Sequence, residues 1–259
     1  MSESAALRLR LLLFAASMLV LAPAAVVVAW HMPAFGAHPL PYGEAVNRIA
    51  PGARNVTNMV TAVNFDLRGF DTLGEEFMLV AAVTGTMVLL RGGRGEASDR
   101  PGQAPGRTLP ARSEAQALLV RWLAPLTVLF GVYVVLHAAL TPGGGFQGGV
   151  IIASGVLLVY LGEGYAGWRH LVRSPLLHAL EGGGAGWFAL CGLAPLFAGA
   201  VFLENRLPMG PPRSILSGGL IPLVNAGVGF AVIGGFLMLF LEFLEETRAP
   251  EEPQETGSS

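Results

Sequence analysis

The chain has 259 residues, 53% of them hydrophobic and only 13% charged, where about a quarter are charged in an average soluble domain. With a mean hydropathy of +0.56, too few charges remain to clothe a soluble core, so the expected class is an all-α polytopic membrane protein. The formal net charge of -2 matters less than where the charges lie. Lysine is absent, which excludes lysine-based relays and Schiff-base chemistry, and the lone Cys191 excludes an intrachain disulfide and a cysteine metal cluster.

The first apolar run, Leu9 to Trp30, follows Arg8 and Arg10. It exceeds the 7–15 residues of a signal-peptide core and is long enough for a bilayer core of about 30 Å, so it reads as an uncleaved first transmembrane helix. Prolines and glycines from His31 to Pro51 predict an irregular loop. Next, Val56, Val60, Val63 and Leu67 recur at helical spacing and predict an amphipathic helix.

A second span runs from Asp71 to Leu90 and opens on Asp71, Glu75 and Glu76. Carboxylates in a first turn suit the helix dipole, so these three are either ordinary N-terminal charges or part of an ion pathway. Residues 91–113 are rich in Gly, Pro and Arg and read as a flexible connector. Four more apolar runs follow: Leu118 to Leu140, Gly149 to Gly167, Gly186 to Leu203 and Gly219 to Leu244. The end from Glu245 is a solvated acidic tail.

About six crossings put most arginines on one side, which predicts cytoplasmic N- and C-termini. Four segments result: a two-helix module over 1–92, a linker over 93–115, a four-helix module over 116–246 and a disordered tail over 247–259.

Between the third and fourth spans lies TPGGGFQGG, containing Pro142, Gly143, Gly144, Gly145, Phe146, Gly148 and Gly149. Glycines let backbones turn sharply and approach closely, so this is a packing device or a small polar site at a helix start. Gly145, Gly149 and Ala153 form one small-residue face, Gly227, Ala231 and Gly235 another, and both are expected to pack against other subunits.

Ionisable groups at membrane depth are candidates for function, and His137 within the third span is the clearest. Glu163, Glu204 and Glu242 fall at span ends and are expected to reach water, Asn225 to bond between helices, and Arg169, His170, Arg173 and His178 to form a basic inner loop. There is no metal-ligand spacing, nucleotide motif or catalytic constellation, so no cofactor, no metal and no nucleic-acid partner is expected.

The segment from His137 through TPGGGFQGGVIIASGVLLVYL, with FLENRLPMG (202–210) and SGGLIPLVNAGVGFAVIGGF (217–236), resembles the B subunit (MnhB domain, MrpB) of multisubunit Mrp-type cation/proton antiporters. NMVTAVNFDLRGFDTLGEEF (58–77) is similar to the E-like module at the C-terminal end of the large antiporter A subunit. The resemblance implies a non-enzymatic structural and coupling subunit in the cell (inner) membrane, multi-pass and in contact with the lipid bilayer. Its implied partners are A-, C- and D-like and small antiporter subunits. It also implies Glu75 as a pathway carboxylate, with Asp71, Glu76 and His137 as further candidates. Where many relatives carry a charge in the last helix this chain has Ala231, so no relay there carries over. Related modules serve energy-converting hydrogenases and complex I relatives, which is the alternative.

Overall fold

The computed structural model describes residues 3–32, 41–91 and 113–246. Of the expected linker only 113–115 is described, and the expected tail lies outside the described residues. Every regular element among the described residues is helical. The chain divides into two bodies, residues 1–44 and 45–259.

The first body holds α1 (Glu3–His31), where apolar side chains are exposed over Leu11 to Met32. A helix apolar all round is at home in lipid. α2 (Pro41–Ala53), most of which belongs to the second body, stands where a loop is expected. Proline is at ease in a helix's first position, and Val46 and Ala50, one turn apart, are buried in the core.

The segment expected as one amphipathic helix is three pieces: a turn, the short α3 (Met59–Ala62), and a π-helical turn over Val63–Leu67. The wider π-turn shifts the face, so Phe65 is buried with Val56 while Val60 is 62% exposed.

The main bundle comprises α4 (Gly69–Arg91), α5 (Glu114–Leu136), α6 (Gly145–Leu171), α7 (Ser174–Leu193) and α8 (Ile221–Glu246). With α1, all but α7 are long and apolar enough to cross a membrane, giving five such helices among the described residues.

The fifth helix is displaced from the run expected at Gly186 to Leu203. Pro175 sits in its first turn, and a short 3-10 helix over Ala194–Ala198 ends it. The basic-loop expectation is corrected with it, since His178 lies within α7. The stretch before Gly186, left outside the expected run, is helical, and packing at Gly184 holds it there: a Cβ at Gly184 would stand 2.5 Å from the Ala231 amide nitrogen.

Small residues set the contacts between helices. A Cβ at Gly148 would stand 2.7 Å from the Gly131 carbonyl of α5, and one at Gly149 3.0 Å from the Gly229 carbonyl of α8. The Gly145 face is thus used on α8 and the Gly227 face on α7, within the chain. This corrects the expectation that both faces await other subunits. Lipid gives helices no hydrophobic reason to associate, so close backbone packing is what holds such a bundle.

Candidate functional site

The glycine-rich turn is pinned from two sides by asparagines. From the segment before α4, the Asn58 side-chain amide donates to the carbonyls of Ala138 and Thr141, each at 2.8 Å. Backbone amides of Thr57 and Asn58 donate to Ala139 O, and Thr57 Oγ1 to Leu140 O at 2.7 Å. From α8, Asn225 accepts the Gly145 amide at 2.6 Å and donates to Val135 O at 2.8 Å. The expected interhelical bond of Asn225 is therefore present, and it satisfies a free amide at the start of α6.

Gly143 (φ 140) and Gly144 (φ 157) have backbone angles that residues with a Cβ rarely adopt. A Cβ at Gly144 would stand 3.3 Å from Asn225 Oδ1. Pro142 is exposed and Phe146 stacks edge-on to Phe236, while Gly148 and Gly149 continue the packing face into α6.

Beside this turn lies a cavity of about 350 Å³. α4 lines it with Thr72, Glu75 and Glu76, the π-turn with Asn64 and Phe65, and the glycine turn with Gly143, Gly144, Phe146 and Gln147. Glu75 is exposed, whereas Glu76 is 2% exposed and its Oε2 has no hydrogen-bond partner among the described residues. Residues 72–76 of the one sequence motif and 143–147 of the other thus meet around one chamber of mixed polar and apolar lining.

Two candidates lie apart from it. Asp71 pairs with Arg68 at the surface. His137 ends α5 half-buried, with its ring stacked 4.0 Å from that of Tyr133 and Nδ1 3.1 Å from Tyr133 O.

The end carboxylates divide. Glu163 is exposed and 3.8 Å from Arg121. Glu204 does not end a helix; it lies in the loop after α7, where a hydrogen bond from Arg206 and one from the Val201 amide hold its carboxyl below the usual range. Glu242 is 0% exposed, which corrects the expectation that it reaches water: its position on α8 points it into the bundle. Glu181, in a stretch expected as loop, is 5% exposed.

The second motif, FLENRLPMG, is structural here. Asn205 donates to Gly218 O and accepts the Leu220 amide, both at 2.9 Å, and so fixes the approach to α8. Asn55 donates to Gly210 O at 2.8 Å from the other side.

Residues 116–238 match the family described as a domain related to the MnhB subunit of Na+/H+ antiporter. A protein of Methanocaldococcus jannaschii, itself described only as uncharacterized, is 33% identical over 231 residues, 78% of this chain and 84% of that protein. The chain belongs to the MnhB-related family.

A probable K(+)/H(+) antiporter A/B subunit of Rhizobium meliloti (strain 1021) is 28% identical to the MnhB-related chain over 218 residues, which is 75% of this chain but only 21% of that protein. Among solved structures, a chain of the membrane-bound sulfane sulfur reductase, an archaeal respiratory membrane complex, superposes with a TM-score of 0.69 at 27% identity. The match covers 91% of this chain and 98% of that one. A chain of the Mrp complex from Dietzia sp. DQ12-45-1b gives a TM-score of 0.67 at 26% identity, covering 98% of this chain and 27% of that one. The MnhB-related chain is a multi-pass protein of the cell membrane.

Proposed function

We propose that this MnhB-related chain is a subunit of a multisubunit monovalent cation/proton antiporter, with a structural and coupling role beside the subunits that carry the main channels. The observation that carries this reading is the joint between the two sequence motifs. Asn58 ties the glycine turn to the segment that leads into α4, which bears Glu75 and Glu76, and Asn225 ties it to α8, so movement of either side alters the chamber between them.

The two-module organisation is part of the proposal: residues 1–92 as an E-like module and 116–246 as the MnhB-like module. The Rhizobium alignment supports it, since its 218 residues extend well beyond the stretch of 116–238. Alternating crossings with both termini cytoplasmic complete the reading, in which α7 is a sixth crossing beside the five long apolar helices. The helix contacts agree with alternation: α6 runs parallel to α8, while α5 and α7 run antiparallel to their partners.

Glu75 and Glu76 are the pathway carboxylates in this reading, and Asp71 and His137 lie on its margins. The chain transports nothing by itself and catalyses no reaction. The test is affinity purification of the tagged chain from its native membrane. Recovery of antiporter-type membrane subunits alone supports the reading.

A second reading is favoured by the nearly end-to-end match to a chain of a respiratory complex. In it the protein belongs to the membrane arm of a redox enzyme. Recovery of iron–sulfur or flavin subunits with the tagged chain selects that reading instead.

A further inference from the structure

Among the described residues of the second body, the carboxyl-bearing residues Glu76, Glu181 and Glu242 are withdrawn from solvent, at 2%, 5% and 0% exposure. Neither Oε2 of Glu76 nor Oε1 of Glu181 has a hydrogen-bond partner among the described residues. Ionisable groups at membrane depth are costly and are kept where they act. Glu76 opens on the cavity, but the other two lie outside its lining.

α8 relates all three. Val228 borders the cavity that Glu76 lines. Gly235 faces Glu181, whose Oε1 lies 3.3 Å from where a Cβ on Gly235 would stand. Glu242 is on α8 itself. Positions 228, 235 and 242 are two helical turns apart, so they share one face, with a rise of about 10 Å per interval.

Glycines make the seat for Glu181. A Cβ at Gly234 would stand 2.6 Å from Leu177 O of α7, and one at Gly235 3.2 Å from Val83 Cγ2 of α4. Bare backbone at 234 admits α7 this close and Gly235 leaves room for the Glu181 side chain, and the result is a carboxyl where α4, α7 and α8 meet. No charge at Ala231 is needed for this arrangement.

We infer that Glu76, Glu181 and Glu242 are successive stations of a proton path that starts at the cavity and follows one face of α8. The inference rests on the antiporter reading of the chain and assigns residues to its coupling role. At each step a protonated carboxyl gives its proton to the first of a chain of waters, each water passes one of its own protons to the next, and the last protonates the next carboxylate. Charge moves by one proton and nothing is oxidised. The positions these groups meet on α8 are about 10 Å apart along its axis, so more than one water is needed between stations.

The test uses everted membrane vesicles carrying the complete complex, with vesicles from a strain lacking this chain as baseline. Proton movement is read as the cation-driven collapse of a pH gradient, reported by a pH-sensitive dye. E76Q, E181Q and E242Q keep side-chain size and remove titration, and assembly is checked by recovery of partner subunits with the tagged chain. The path predicts that every assembled Gln variant slows antiport on the order of tenfold or more, with partial rescue by E181D. An assembled Gln variant running at the wild-type rate overturns it. Where one variant fails to assemble, the other two decide by the same criterion. Full antiport in the deletion baseline overturns the antiporter reading, and the path with it. Loss on deletion with undiminished Gln variants overturns the path alone.

Discussion

The Gly145 amide donates to Asn225 Oδ1 at 2.6 Å, and this bond joins the start of α6 to α8 at a point where residue 145 has no room for a side chain. A Cβ there would stand 2.7 Å from Gly229 N. The two features depend on each other, because the amide reaches the asparagine only if the backbones touch.

Asn225→Leu removes that acceptor, leaving the buried Gly145 amide unpaired, and the donor to Val135 O, which keeps its bond from the Ala138 amide. An unpaired buried group costs about 1–3 kcal/mol. Thermal denaturation of the purified complex in detergent is expected to show a clear fall in Tm. An unchanged Tm contradicts the clamp.

Asn58→Ala frees the other side of the turn. It removes the cap of α3, worth about 1 kcal/mol, and the bonds to Ala138 and Thr141. Hydrogen exchange is expected to quicken over residues 57–67 while α8 keeps its protection. Equal loosening of α8 counts against a local hinge.

Gly145→Leu and Gly149→Leu drive side chains into backbone, and overpacking of this kind costs about 1–3 kcal/mol or more. Both are expected to reduce recovery of the assembled complex. Gly182→Ala is the control, since a Cβ there meets nothing within 4 Å, and gains up to about 1 kcal/mol of helix propensity. Normal assembly of the Leu variants with lost transport assigns the turn to the ion path instead of to packing.

Glu75→Gln is expected to slow vesicle antiport more than Asp71→Asn does. Glu75 lines the cavity, whereas Asp71 sits in an exposed pair with Arg68 of the sort worth roughly 0–1 kcal/mol. The reverse order contradicts the placement of the pathway at the cavity.

The sequence makes some of this legible and conceals the rest for definite reasons. Five of the apolar runs correspond to helices because lipid-facing surface leaves a composition signal that needs no knowledge of packing. Asn225 is readable as an interhelical bond, since a lone amide in an apolar helix must find a partner. The first half of α7 is not readable: Glu181 and three glycines carry no apolar signal, and only the packing of Gly184 against α8 gives the stretch a place in the bundle. Glu242 looks like a carboxylate free to reach water because helix ends permit it, and only the bundle reveals that this one points inward. Glycine content alone does not decide between packing and polar roles for the TPGGGFQGG turn. The structure gives it both surfaces, with Gly145 and Gly149 against α8 and Gly143 and Gly144 on the cavity.

The central claim, that this chain is indispensable to an antiporter complex without transport of its own, is tested most directly by cation-driven dissipation of a pH gradient. Three preparations are compared: vesicles with the complete complex, vesicles lacking this chain, and liposomes holding the purified chain alone. Antiport is expected in the first, restored in the second only when the chain is supplied back, and absent from the third. Antiport by the purified chain alone, or full antiport without it, would contradict the account.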